Sequence, residues 1–134
     1  MTALVDIEGV GAKYAEKLKS AGVSTSEALL EKGKTADGRK QMAEASGVTE
    51  KLILEWVNRV DLARVKGIGS EYADLLESSG VDTVPELSKR VPENLLKKME
   101  EVNETKKLVR KVPTLTQVTD WIEQAKKLPR LINY

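Results

Sequence analysis

Two short strings place glycine where a backbone must turn sharply or be approached closely: Gly9-Val10-Gly11 and Gly67-Ile68-Gly69. Each leads at once into a run with helical spacing. A helix that starts directly after such a turn presents backbone N–H groups without intrahelical partners, and the positive end of its dipole. That is a site for an anion, phosphate above all. Val10 and Ile68, between the glycines, are expected to tuck into a core. The second glycine of each string, Gly11 and Gly69, is expected to need positive φ. The plainer reading of Gly9, Gly11, Gly67 and Gly69 is that they only shape an inter-helix turn. It stands level with the phosphate reading in the first string and ahead of it in the second.

Other chemistry is excluded or unsupported. The chain has no His and no Cys, so a Ser-His-Asp triad, a thiol nucleophile, a zinc finger and a disulfide frame are out of reach. A dinucleotide fingerprint fails because its third glycine would be Tyr14 or Tyr72, and a P-loop fails for want of Gly-Lys-Ser/Thr. Glu100, Glu101 and Glu104 read as a solvated helix face flanked by lysines, not as a metal site. No nucleophile–base pair recurs. The expectation is a protein that is not an enzyme and uses no cofactor and no metal.

The elements that must position the two strings repeat. Val5–Thr25 and Ala63–Thr83 share, without a gap, both glycines, Tyr-Ala, Leu, Ser, Gly-Val and Thr, and Leu4 matches Leu62. Glu55-Trp56-Val57 resembles Asp120-Trp121-Ile122 after extra residues in the second copy. The division expected is 1–60 and 61–134, the second half carrying a longer, partly degenerate end. Both halves read as helix. Tyr14, Ala15, Leu18 and Ala21 share a face, closed by Gly22. Thr25, or Ser24 with Glu27, caps the next helix. Arg39–Ser46 is short and stopped by Gly47, and Thr49 caps Glu50–Val60. Gly69–Ser79 ends at Gly80, Thr83 caps a helix with Pro85 and Glu86 in its first turn, and helices follow over Pro92–Val102 and near Thr116–Leu128. Tyr14, Tyr72, Trp56 and Trp121 read as core residues rather than stacking platforms for bases.

On these residues the sequence resembles the helix-hairpin-helix family, whose motif is Gly-hydrophobic-Gly followed by a helix with Ala and Leu. Gly9-Val10-Gly11 with Ala15 and Leu18 fits it, as does Gly67-Ile68-Gly69 with Ala73 and Leu76. Gly22-Val23-x-Thr25 and Gly80-Val81-x-Thr83 are similar to the family's trailing segment. Ser46-Gly47-Val48-Thr49 resembles a degenerate second motif, whose place in the other half is taken by Val102-Asn103-Glu104-Thr105, without glycine. The whole chain is similar to a domain-of-unknown-function family of small proteins with two such repeats. The resemblance implies an all-α fold of two similar helix-hairpin-helix halves packed in tandem. It further implies hairpin amides that grip a nucleic-acid backbone, helped by a cation two residues past the second glycine. Lys13 holds that place in the first half, and Glu71, which would repel phosphate, in the second.

Charge leaves two functions open. The net charge is +1, which does not advertise nucleic-acid binding. Residues 106–134 carry 7 basic and 2 acidic side chains, hence +5, and could join Lys13, Lys17 and Lys19 in one basic face. One reading is a DNA- or RNA-backbone binder without sequence specificity, using Gly9, Val10, Gly11, Lys13 and Lys17, with Gly67, Ile68 and Gly69 as a weaker second hairpin. The other is a protein-interaction or scaffolding module. No apolar run approaches the roughly 20 residues of a membrane span. The chain is expected to be a cytoplasmic monomer.

Overall fold

The computed structural model describes residues 10–129 and 131–132. Among them are eight helices and no strand: α1 (Gly11–Ser20), α2 (Ser26–Gly33), α3 (Ala36–Ser46), α4 (Glu50–Leu62), α5 (Ser70–Ser78), α6 (Val84–Ser88), α7 (Pro92–Lys106) and α8 (Leu115–Lys127). The chain divides into two compact units, Met1–Asp61 with Leu131–Tyr134, and Leu62–Arg130. None of the helices is long and apolar enough to cross a membrane. Leu4 to Gly9, part of the repeat, lie outside the described residues.

In the first unit, α1 turns Leu18 fully inward. It ends because Gly22 adopts φ +84, letting its N–H donate to Lys19 O and the Val23 N–H to Leu18 O, both at 3.0 Å. This is the left-handed double closure that glycine makes without steric cost. Thr25 then accepts from the Ala28 N–H at 3.2 Å and starts α2. The next helix begins at Ala36, earlier than the expected Arg39, because Thr35 accepts from the Gly38 N–H. Arg39 is buried, and its guanidinium donates to Gly33 O at the end of α2 at 2.8 Å. Leu29, Met42, Ile53, Trp56 and Val57 close the core, and the Tyr14 and Trp56 rings pack 5.2 Å apart at 56°. Ile132, which follows α8 in sequence, is buried in this same core.

The second unit makes the same moves with its own residues. Gly80, at φ +94, ends α5 with its N–H donating to Glu77 O and the Val81 N–H to Leu76 O. Thr83 accepts from the Glu86 N–H. The Glu86 carboxylate does not turn back to the cap but accepts from Arg90 at 2.7 Å. The Tyr72 and Trp121 rings pack 5.2 Å apart at 53°. The unit departs from expectation in α7, which runs through Val102-Asn103-Glu104-Thr105 to Lys106. Lys107, at φ 51, ends it, and Asn103 holds the following loop, exchanging two hydrogen bonds with the Val109 backbone. Glu100, Glu101 and Glu104 are exposed along α7. A reciprocal cap between Thr114 and Gln117 starts α8.

Candidate functional site

Val10 is buried and α1 begins at the next residue, so the first-turn amides emerge where the chain leaves the core. Gly11 stands at φ +67 with no atom within 4 Å of where a Cβ would be. Glycine is required there by backbone conformation, not by crowding. Val10 offers no side-chain cap, and Lys13 is exposed on the same first turn. Lys17 is placed differently. It sits in the last turn of α1, about 9 Å along the helix axis from Gly11, and its ammonium lies 5.7 Å from the Tyr14 ring centroid. That position suits the negative end of the helix better than an anion at its start. Gly9 lies outside the described residues.

The second hairpin has another backbone. Ile68 is buried as Val10 is, but the left-handed residue is Gly67, at φ +99. Gly69, expected to share the positive φ of Gly11, is extended at φ -95, and a Cβ there would have open space around it. What packs on this turn comes from far along the chain. Trp121 presses on the turn so closely that a Cβ on Gly67 would stand 2.8 Å from its Nε1. Gln124, one turn further along α8, also clamps the turn. Its Oε1 accepts from the Lys66 N–H at 2.8 Å and its Nε2 donates to Lys66 O at 3.1 Å. Asp120 accepts from the same Nε2 and orients it. Nothing in the sequence around Gln124 signals this role, which exists only once α8 has packed on the hairpin. Glu71 is exposed on the first turn of α5, and Gly69 provides no side-chain cap.

Threonines close most other helix starts. Thr25, Thr35, Thr49, Thr83 and Thr114 accept from first-turn amides of α2, α3, α4, α6 and α8. Among the described helices, α1, α5 and α7 begin without such an acceptor. The two glycine strings thus start helices without a cap from the N-cap side chain, as α7 also does, whereas threonines close the other five starts. An open amide set with a lysine beside it can hold an oxyanion, and the same set with a carboxylate beside it is opposed.

Fold and site together define a small all-helical protein with two glycine turns at uncapped helix starts. The model of the family described as Domain of unknown function (DUF4332) matches residues 8–128, and the chain belongs to that family. No curated protein and no solved structure matches the chain.

Proposed function

We propose that the chain is a non-enzymatic tandem helix-hairpin-helix module that holds nucleic-acid backbone at its first hairpin without reading base sequence. The start of α1 carries the reading: a left-handed glycine, no cap from the Val10 side chain, and exposed Lys13 on the same turn. The tandem part is supported by features that recur in both units: the Gly22 and Gly80 closures, the Thr25 and Thr83 caps, and the two Tyr–Trp pairs at 5.2 Å. Contacts of this kind fall on phosphate and sugar and carry no sequence information. One hairpin neutralises few phosphates, so affinity falls in the range of non-specific binding, about 10⁻⁴–10⁻⁶ M, and drops with salt with a slope set by that small number of phosphates.

The test is titration of a mixed-sequence duplex into wild type, Lys13→Glu and Glu71→Lys at low and moderate salt. Lys13→Glu should abolish binding and Glu71→Lys should strengthen it. Persistence of binding in Lys13→Glu moves the contact elsewhere, most directly to the exposed lysines between Lys106 and Lys127. No binding by wild type at low salt leaves the second reading, a protein-interaction module, which exposed Glu71 and the near-neutral net charge favour.

A further inference from the structure

Ile132 lies beyond α8, after the whole second unit in sequence, yet its side chain is 1% exposed in the core of the first unit. The cluster that encloses it also holds Val10, Leu18 and Trp56. Its neighbour Leu131 is 37% exposed, so the burial belongs to one side chain and not to the stretch. Up to Pro129 the chain is held within the second unit: the Leu128 N–H donates to Gln124 O at 3.1 Å, and Arg64 donates to Pro129 O at 3.0 Å. Leu131 and Ile132 belong to no helix. We infer that Ile132 is a latch that completes the first unit's core and thereby controls the first hairpin.

The physical basis is close packing. A core side chain supplied from outside the helices of its own unit belongs to no helical ladder, so it can leave its seat without breaking a helix. When it leaves, the cavity opens in the cluster that seats Val10, and Val10 fixes where the chain turns into Gly11 and α1. The first hairpin's shape is thus made conditional on a residue that no part of the first repeat provides. The consequence for anion binding rests on the function proposed above, whereas the latch itself does not.

Amide hydrogen exchange on the full chain tests it, with Ile132→Ala, Ile132→Val and Leu131→Ala beside wild type. Truncating a buried isoleucine to alanine should lower protection across α1–α4 by roughly 30- to 5000-fold, and to valine by roughly 2- to 10-fold. Protection in α5–α8 should stay at the wild-type level, and Leu131→Ala should change neither unit. If Ile132→Ala does not fold, Ile132→Val carries the test. Equal losses in both units, or no loss in the first, overturn the latch. Selective loss in the first unit supports it even if neither wild type nor any variant binds the duplex, a result that would sink the phosphate reading alone.

Discussion

A methyl group added at Gly67 would meet the Trp121 indole nitrogen at 2.8 Å on a backbone at φ +99, whereas the same methyl at Gly69 meets nothing within 4 Å on extended backbone. Gly67→Ala should therefore destabilise the second unit by roughly 1–3 kcal/mol. Gly69→Ala should be neutral or stabilise by about 0.4–1 kcal/mol, because it removes conformational freedom only from the unfolded chain. Gly11→Ala lies between, with the left-handed penalty of about 1–2 kcal/mol and no clash. Urea unfolding of the three variants checks the order; equal costs at Gly67 and Gly69 would contradict the assigned backbones. The sequence presents these glycines as equivalent. The left-handed Gly67 of the second hairpin is packed by Trp121 and flanked by the Gln124 clamp on Lys66, and both arrive from α8. The buried seats of Val10 and Ile68, by contrast, follow from one apolar residue between two glycines and are legible in the sequence.

At the level of helices, what is locally encoded is readable and what is tertiary is not. Thr25 and Thr83 announce the next helix because a hydroxyl three residues before an amide needs no other partner to act. Gly22 and Gly80 announce an end for the same reason. The start of α3 is hidden, since Lys34-Thr35-Ala36-Asp37-Gly38 has a loop's composition and only the Thr35 hydroxyl turns it into a first turn. The end of α7 is hidden because Lys107 takes a conformation usual for glycine, with Asn103 fastening Val109 behind it. The start of α1, which the Val10 side chain does not cap, also belongs to this scale, since it stands out only against the threonine caps of other helices. Thr25→Ala and Thr83→Ala should each cost about 0.5–2 kcal/mol. Because the two caps share their geometry, their costs should agree within about 0.5 kcal/mol. Chemical denaturation of each variant measures both, and a large loss from one with none from the other would break the correspondence between the units.

On the scale of the whole molecule, two closed cores share one chain. Leu18, Leu29, Ile53 and Trp56 belong to one, and Leu76, Leu87, Met99 and Trp121 to the other. The chain passes between them at Asp61–Leu62, within α4, and again at Arg130–Leu131. Each core contains one of the chain's two tryptophans, buried and packed on a tyrosine of its own unit. Trp121→Phe therefore leaves Trp56 as a reporter of the first unit, and Trp56→Phe leaves Trp121 as a reporter of the second. In those backgrounds Leu29→Ala and Leu87→Ala each empty a fully buried site, at a cost of roughly 2–5 kcal/mol. With separate cores, Leu29→Ala should lower the urea midpoint seen by Trp56 and leave that seen by Trp121 in place, and Leu87→Ala should do the reverse. Such a result would mean that a single free energy of unfolding does not describe the chain. A change at one hairpin could then alter its own unit's stability without disturbing the other. If either substitution moves both reporters together, the molecule unfolds as one cooperative body, and selective opening of the first unit around Ile132 fails with the separation it depends on.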